Sequence, residues 1–417
     1  MKQKKIFHLI CQAHLDPVWI WHRRDGYSEA LTTIASAVQF LEEEPDMKFT
    51  RSSAAVYRWV KESDPGLFER IRHLVEAGRW EVVNGWEVQP DCNLPLGESF
   101  IRQSLYGKRW FRENLGVEVR IGYNVDTFGH AGGLPQILRL SGLDHYVCMR
   151  PFSDPGGRPY PNLFWWESPD GSRVLCWRIP HAYGQEPHAS ADHLEAAIRL
   201  EADSNFAEGI RHAPFFLGVG NHGGGPTRRQ IDRIRRLQED GDLPELRFST
   251  MGEYFAAVRA EAGFSRIPVH RGGLQYVNVG CYAAHGRIKK ACREAERELL
   301  KAECSRSMVR LAGLRGIHET PEEHRCAWRS VLFNQFHDIL GGTCLQSADT
   351  SILDQFGHAS HLAEAGLDRD LHGLARTIDT RFAPKGVLVL FNPLPWEREA
   401  SAAFDTFVAP TGEEAIT

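Results

Sequence analysis

Up to about residue 265, the hydrophobic and polar positions of the chain alternate between two patterns. Short continuous apolar runs are typical of buried strands, and longer segments with apolar residues at helical spacing indicate helices with one buried face. This alternation predicts an α/β fold built on a mainly parallel sheet or a distorted barrel. Strands are predicted over residues 7–13, 80–84, 119–125, 145–149, 173–177, 214–219 and 245–249, and the helices between them include residues 28–43, 65–77, 97–114 and 134–140.

The pattern becomes helical from about residue 275 onward. Residues 287–312 are rich in Arg, Lys, Glu, Ala and Leu at helical spacing, a second helix is predicted from Pro321 to about Leu340, and residues 347–379 add further helix. Consecutive amphipathic helices of this kind predict a three-helix bundle that follows the α/β domain.

Beyond Pro384 the pattern changes again, to one typical of β structure. Residues 386–391 are an apolar strand, Asn392 and Pro393 make a turn, and residues 397–404 alternate like a second strand. Because a two-stranded hairpin is only marginally stable alone, we expect these strands to begin a β-sandwich that the chain does not complete. The predicted domains are an α/β domain over 1–270, a helical bundle over 271–380 and the start of a truncated β-sandwich over 381–417.

Composition and charge exclude several classes of protein. The net charge of −5 gives no electrostatic case for nucleic acid or an anionic membrane as a partner. No apolar stretch is long enough to span a bilayer, and the first apolar run, interrupted by His8 and Gln12, predicts a strand and not a signal peptide. The nine cysteines are scattered singly, which favours a reduced, cytoplasmic chain.

The end of the first predicted strand carries the first candidate for metal chemistry. His14 and Asp16 are two residues apart, and side chains at this spacing in a strand point the same way. An imidazole and a carboxylate aimed at one point can supply two ligands of a zinc site. Pro17 then ends the strand, and Trp19 offers an aromatic face nearby. The alternative is a strand that merely ends in polar residues.

Asp126 is the second candidate, because it directly follows the strand predicted over 119–125. Gly129 shortly afterwards permits a tight turn. A carboxylate in this position can be a nucleophile, a metal ligand or both. The alternative is an aspartate that caps the next helix.

His337 is the third candidate and lies at the end of the second bundle helix, before Gly341 and Gly342. It is either a metal ligand or a histidine stabilised by the negative end of the helix dipole.

A glycine-rich loop over 218–226 surrounds Asn221 and His222 after a predicted strand. Its spacing fits neither the phosphate-binding loop nor the dinucleotide fingerprint, which excludes a nucleotide site of those kinds. The glycines are expected to let the backbone approach a ligand closely.

Taken together, these segments resemble glycoside hydrolase family 38, the zinc-dependent α-mannosidases, over residues 6 to about 404. Residues 14–19 look like the first metal motif of the family, and 334–343 match N-Q-F-H-D-I-L-x-G-T closely. The other matching segments are 85–99 with its P-D-x-N-x-P pattern, the D-x-F-G-H motif in 124–130, Gly280-Cys281-Tyr282 followed by Lys289, Arg293 and Glu296, and Phe391-Asn392-Pro393.

The resemblance implies a retaining α-mannosidase with one Zn²⁺ per chain. Zinc would bind to two imidazoles and two carboxylates and would contact two vicinal hydroxyls of mannose, and Asp126 would also be the nucleophile that forms a covalent glycosyl intermediate. Trp19 and Phe128 would wall the sugar pocket, Asp338 would bond sugar hydroxyls, and Arg150 would lie near the nucleophile. The zinc ligands implied are His14, Asp16, Asp126 and His337.

Two departures from the family concern the general acid and the length. Many members have an aspartate in the segment where this chain has Asn221 and His222. His222 can deliver a proton, a carboxylate from elsewhere can serve, or the loop, with Asn221, binds substrate only. Members also carry large β domains on the bundle, so we expect this chain to be a truncated enzyme, a fragment or one piece of a split protein.

The leading hypothesis is therefore a cytoplasmic zinc α-mannosidase that acts on terminal α-mannosyl residues of glycans or oligosaccharides. A second hypothesis is a zinc-dependent sugar N-deacetylase, in which Asp126 would be a general base. A third is an inactive sugar-binding truncation. The expected partners are an α-mannoside and either a second copy of the chain or the missing β domains, with no nucleic acid and no membrane.

Overall fold

The computed structural model describes residues 4–184, 191–220, 223–275, 277–314, 321–382, 387–394, 396, 397, 399 and 401. The strands are β1 (Ile6–Gln12), β2 (Phe49–Arg51), β3 (Trp80–Val82), β4 (Ile121–Asn124), β5 (His145–Cys148), β6 (Leu163–Glu167), β7 (Arg173–Arg178), β8 (His212–Leu217), β9 (Glu245–Phe248) and β10 (Val269–Arg271). The helices are α1 (Arg23–Glu43), α2 (Ala54–Ser63), α3 (Pro65–Glu76), α4 (Gly97–Leu115), α5 (Leu134–Leu140), α6 (Ala191–Ser204), α7 (Arg228–Leu237), α8 (Met251–Arg259), α9 (Gly286–Leu311), α10 (Pro321–Phe333), α11 (His337–Gly341) and α12 (Asp349–Ala375).

The strands form two sheets that run side by side. One has the order β3-β2-β1-β8, with β9 also paired to β1, and the other has the order β10-β6-β7-β5-β4. All pairs are parallel except β6 with β7. The sheets meet where the amide of Asn84 donates to the carbonyl of Ile121, at 2.7 Å. The carboxyl ends of β1, β3 and β4 therefore lie along one edge, which is where parallel sheets place their sites.

Strand β1 is at the centre of its sheet and fixes the register of that half of the fold. Its residues pair with β8 from Ile6 to Cys11, and all seven of its side chains are buried. Burial on both faces is why its sequence is mainly apolar, with His8 and Gln12 as its polar residues, and does not alternate between apolar and polar. The predicted α/β fold with a mainly parallel sheet is confirmed.

Three strands were not predicted, namely β2, β6 and β10. Strands β2 and β10 have only three residues each, too few to produce a periodic pattern. The turn after β6 contains Pro169, Asp170 and Gly171, and Ser168 N–H donates to Ser172 O at 2.9 Å. A Pro-Asp-Gly sequence between two apolar runs is a turn signal that predicts such a hairpin.

The predicted helical bundle forms from α9, α10 and α12, which pack against one another. The helix predicted from Pro321 to about Leu340 is not continuous, because α10 ends at Phe333 and α11 begins at His337. Between them, Gln335 O accepts the amide of Asp91 at 2.9 Å, and Phe336 forms an antiparallel bridge with Pro90. These contacts replace the helical hydrogen bonds, so His337 starts a short helix and the helix C-terminal interpretation is wrong.

The predicted strand over 386–391 is not formed in residues 387–391, and Gly386 lies outside the described residues. Val387, Leu388 and Leu390 are 41, 50 and 68% exposed. The described residues of the second predicted strand, 397, 399 and 401, also have no strand conformation, and the rest of 397–404 lies outside the described residues.

No helix within the described residues combines the length and the hydropathy that crossing a bilayer requires.

Helix α4 lies unusually close to the loop that follows β3, and Gly107 permits this contact. A Cβ at Gly107 would lie 2.3 Å from Gly85 O and 2.8 Å from Trp86 Cα. We therefore expect Gly107→Ala to lower the free energy of unfolding by about 1–3 kcal/mol, measured by urea denaturation. Gly357→Ala in α12, where nothing lies within 4 Å, is the control and should stabilise the helix by about 0.5–1 kcal/mol. Equal effects of the two substitutions would contradict this packing.

Glu201 on α6 makes stability depend on pH. It is 6% exposed, it accepts a hydrogen bond from Asn205 at 2.6 Å, and burial raises its pKa from 4.5 to about 8. The folded protein thus holds this proton more tightly than the unfolded chain, so the stabilisation is lost as pH rises from about 4.5 to 8. The free energy of unfolding of the wild-type protein should fall by a few kcal/mol between about pH 5 and pH 8, measured by urea denaturation at both values. Glu201→Gln should abolish this fall. Glu113→Gln, at an exposed site on α4, should show the same change of unfolding free energy with pH as the wild type. If Glu201→Gln also shows that change, Glu201 is not its source.

Candidate metal centre

Two imidazoles and two carboxylates converge at the shared carboxyl edge of β1 and β4. One ligand atom from each of His14, Asp16, Asp126 and His337 lies within 4.8 Å of the others, and all four residues are buried. No other such group of three or more His, Cys, Asp or Glu residues occurs in the part of the chain that the structure describes.

The distances within this group suit a tetrahedral metal ion. His14 Nε2 lies 2.9 Å from Asp16 Oδ1 and 3.9 Å from Asp126 Oδ2. His337 Nε2 lies 3.5 Å from Asp16 Oδ1 and 3.8 Å from Asp126 Oδ2. Tetrahedral zinc with ligand bonds of about 2.0–2.1 Å separates its ligands by about 3.3 Å, within the range spanned by these four distances.

Asp16 and His14 reach the centre from just beyond β1, which ends at Gln12. Trp21 Nε1 donates to the carbonyl of Asp16 at 2.8 Å, which holds the backbone as it leaves the strand. The side chains of His14 and Asp16 converge, so the strand does not merely end in unrelated polar residues.

Asp126 reaches the centre from two residues beyond β4. Arg150 Nη1 donates to its carbonyl at 2.7 Å and also to its Oδ1, while its Oδ2 faces the two imidazoles. Asp126 therefore presents one carboxylate oxygen to a guanidinium and the other to the centre. It does not cap a helix.

His337 enters the centre from the helical bundle. Its Nδ1 lies 2.9 Å from the carbonyl of Gln89, to which only a protonated ring nitrogen can donate. In the neutral ring this leaves the lone pair on Nε2, which is buried and has no hydrogen-bond partner among the described residues. A buried acceptor of this kind among two carboxylates fits a metal ligand.

The charges in the centre keep both carboxylates ionised. Burial by itself would raise the pKa of Asp16, but His14 and His337 hold it below its ordinary value. Burial also opposes ionisation of Asp126, but His337, His14 and Arg150 outweigh it and hold the pKa of Asp126 below its ordinary value. The pKa of His337 is lowered by burial but is raised well above its ordinary value overall by Asp338, Asp126 and Asp16. Bringing these groups together suits a bound cation.

Phe128 and Asp338 border the centre on the side of α11. The Phe128 ring lies edge-on to His337, with centroids 5.7 Å apart, and the Arg150 guanidinium lies 5.6 Å from its centroid. Asp338 Oδ1 accepts from Thr343 Oγ1, while its Oδ2, 3.7 Å from His337 Nε2, has no hydrogen-bond partner among the described residues. Asp338 Oδ2 is thus available to a ligand that enters the centre.

Trp19 is half-buried and lies three positions after Asp16 in the chain. Its ring lies edge-on to Trp21, with centroids 5.4 Å apart, and its carbonyl accepts the amide of Leu345 at 2.8 Å. Trp21 Nε1 bonds the carbonyl of Asp16, so the Trp19 and Trp21 rings pack together beside the backbone of the first metal motif.

Asn221 and His222 lie outside the described residues, but the glycines on both sides approach the site. A Cβ at Gly218 would lie 2.1 Å from the carbonyl of Gln12, and one at Gly223 would lie 2.8 Å from Leu15 Cδ1. These glycines therefore permit close packing of the backbone against the residues at and just beyond the end of β1, whereas the expected approach to a ligand stays a prediction.

Tyr183 is a residue of the site that the sequence analysis missed. Its buried ring lies edge-on to His14, with centroids 5.0 Å apart, and its pKa is raised well above the ordinary value by burial and by Asp126 and Asp16. It follows β7 and so lies along the same carboxyl edge as the ligands, which is the signal that could have identified it.

Asp91 also follows a strand but does not join the centre. Its Oδ1 accepts the amides of Asn93 and Leu94, both at 2.8 Å, so it stabilises the turn beside His337.

Comparison with known proteins identifies the family. Residues 4–276 match the glycosyl hydrolases family 38 N-terminal domain, and residues 278–371 match the alpha mannosidase middle domain. Mouse alpha-mannosidase 2C1 is 30% identical over 397 residues, which are 94% of this chain and 37% of the mouse protein. Alpha-mannosidase G of Dictyostelium discoideum is 30% identical over 82% of this chain and 30% of its own length. This chain thus spans about a third of the length of these relatives.

The fold is also found in solved structures. An alpha-mannosidase from Enterococcus faecalis V583 superposes with a TM-score of 0.76 at 20% identity, over 92% of this chain and 44% of that one. A 4-alpha-glucanotransferase from Thermococcus litoralis has the same fold at a TM-score of 0.56 and 14% identity, over 86% of this chain and 60% of that one. Since the first family match alone spans well over half of the sequence, the chain belongs to glycosyl hydrolase family 38.

Proposed function

We propose that this chain contains the zinc centre and the nucleophile of a retaining α-mannosidase that hydrolyses terminal α-mannosyl residues. The observation that carries the proposal is the buried group of His14, Asp16, Asp126 and His337, with Arg150 bonded to the carboxylate of Asp126. The names of the family and of its alpha-mannosidase members support mannose as the sugar.

Zinc would be held by the two imidazole Nε2 atoms and by one oxygen each of Asp16 and Asp126. When bound, the ion would act as a Lewis acid that binds sugar hydroxyls. His337 is prepared for this role because its other ring nitrogen already bonds Gln89 O.

Asp126 would be the nucleophile. In the first step, a carboxylate oxygen of Asp126 forms a bond to the anomeric carbon, the bond to the leaving oxygen breaks, and that oxygen takes a proton from a general acid. In the second step, water attacks the anomeric carbon, its proton passes to the conjugate base, and the aspartate carboxylate leaves. Arg150 keeps Asp126 ionised and orients it for the attack.

We assign the remaining substrate contacts by position. Phe128 and Trp19 would line the sugar pocket. Asp338 Oδ2, which has no hydrogen-bond partner among the described residues, would accept a hydrogen bond from a sugar hydroxyl. His222 would be the general acid or base, with Asn221 as a substrate contact, a role supported by the approach of the flanking glycines to the end of β1.

The division into an α/β domain over 1–270 and a helical bundle over 271–380 is likewise a proposal. It is supported by the two family matches, which meet between residues 276 and 278. The nine free cysteines support a reducing, cytoplasmic environment.

The purified chain should contain about one zinc ion, measured by mass spectrometry of the metal content. Removing zinc with a chelator should lower the melting temperature, because a metal that binds only the folded state stabilises it. His14→Ala and His337→Ala should each lose the metal. His372→Ala is the matched control, since the exposed His372 bonds Asp368 O within α12. A folded wild-type chain without zinc would contradict the proposal.

A fluorinated mannosyl trapping reagent should label Asp126. Such reagents slow the second step, so the covalent glycosyl intermediate accumulates and peptide mass mapping locates it. Asp126→Asn should abolish labelling, and it should lower the hydrolysis of an aryl α-mannoside on the order of 10⁴-fold. Labelling of a different carboxylate, with hydrolysis present, would exclude Asp126 as the nucleophile.

The same assays separate the other hypotheses. Release of acetate from an N-acetylated sugar, without cleavage of an α-mannoside, would identify a deacetylase in which Asp126 is a general base. A zinc-loaded chain that binds mannosides but cleaves none would identify a sugar-binding truncation.

A further inference from the structure

We propose that Gln89 is the positioning residue of the centre, because it bonds both segments that bring Asp126 and His337 to the metal. The inference rests on the proposed zinc site and deepens it. Gln89 touches none of the four ligand atoms through its side chain. Its role would be to fix where two of them lie.

The side chain of Gln89 holds the end of β4. It is 2% exposed, and its Oε1 accepts the amide of Val125 at 3.1 Å, one residue before Asp126. Its Nε2 donates to Ser52 Oγ at 2.8 Å, just beyond β2. Both polar atoms of the amide are thus used, and each bond ties residue 89 to the carboxyl edge of the sheet.

The backbone of Gln89 holds His337. Its carbonyl accepts Nδ1 of the ring at 2.9 Å and the main-chain amide of His337 at 3.3 Å. The first bond fixes the tautomer and the second fixes where α11 starts. A shift of this carbonyl would therefore move the ring and the helix together, and with them Nε2 at the centre.

The two sets of bonds act through one residue, so the side chain controls the position of the carbonyl. The neighbouring contacts of Pro90 with Phe336 and of Asp91 with Gln335 align the loop with the break after α10. Pro90 O also accepts a hydrogen bond from Thr127 Oγ1 at 3.0 Å, so this loop contacts both chain neighbours of Asp126. Gln89 bonds Val125 through its side chain and His337 through its carbonyl, and it therefore joins the segment that carries one candidate ligand to the loop that orients the other.

The test measures zinc affinity by competition with a chromogenic chelator, which does not depend on turnover. Gln89→Leu removes both side-chain bonds at nearly unchanged volume, and we expect it to weaken zinc binding by about 10–100-fold, as loss of a ligand-orienting contact does. Gln89→Glu keeps acceptors for Val125 N–H and for the Ser52 hydroxyl, which can rotate to donate. This variant should recover most of the affinity.

Ser249→Ala is the matched control. Ser249 is 1% exposed, and the substitution also removes two side-chain hydrogen bonds, at 2.7 Å to His8 near the start of β1 and at 2.8 Å to Glu253. Neither bond is made to the candidate ligands or to a residue next to them in the chain. It should lower the melting temperature but leave zinc affinity unchanged. If Gln89→Leu does not fold, Ser52→Ala, which removes one of the two bonds, should weaken zinc binding by a few-fold.

The outcomes are distinguishable. A wild-type chain that binds no zinc would overturn the proposed function and this inference together. If the wild-type chain binds zinc and Gln89→Leu binds it equally well, the role of Gln89 alone would be overturned. Where Gln89→Leu is unfolded, equal binding by Ser52→Ala would have the same consequence. So would a loss of affinity in Ser249→Ala as large as that in the Gln89 variant.

Discussion

The hydrogen bond from His337 Nδ1 to the carbonyl of Gln89 is the contact on which the centre depends. Three of the four candidate ligands follow β1 or β4, strands of two adjacent sheets whose carboxyl ends lie along the same edge. The fourth comes from the helical bundle, so the centre is complete only when the bundle is docked on the α/β domain. That docking is fixed by main-chain bonds between residues 335–337 and the loop at 89–91. Residues 335–337 make these bonds in place of helical hydrogen bonds.

A buried carboxylate strengthens this junction. Glu296 on α9 is 0% exposed, and its Oε1 accepts from the amide of Leu96, the hydroxyl of Ser99 and the side-chain amide of Gln335. A buried charge is tolerated only when it is well paired, and Arg293 Nη1, 3.0 Å from Oε2, completes the pairing. The bonded groups belong to α9, to the start of α4 and to the break before α11. Bundle, domain and ligand segment are therefore joined through one side chain, and a change in docking would be transmitted to His337.

Much of this arrangement follows from the sequence because its causes are local. The apolar run of β1 predicts the strand, and the spacing of His14 and Asp16 predicts that the two side chains converge. Because β1 ends at Gln12, the alternation of side chains along a strand is not what directs them. The helix break does not follow in the same way, because residues 321–340 have helical spacing and the bonds that end α10 come from a loop more than two hundred positions earlier. Tyr183 was missed for a related reason, since its proximity to His14 is set by the adjacency of distant strands. Local patterns therefore indicate candidate ligands that follow strands, whereas contacts between distant segments decide how His337 is presented.

The division of the Asp126 carboxylate between two partners supports the proposed chemistry more specifically than the fold does. A 4-alpha-glucanotransferase shares the fold at 14% identity, so the fold alone does not select a reaction. In this chain one oxygen of Asp126 faces Arg150 and the other faces the imidazoles. Both partners favour the anion, which suits a nucleophile because it must be ionised when the sugar binds. The imidazoles of His337 and His14 and the guanidinium of Arg150 hold the pKa of Asp126 below its ordinary value despite burial, which is the ionisation state that the proposed nucleophile requires.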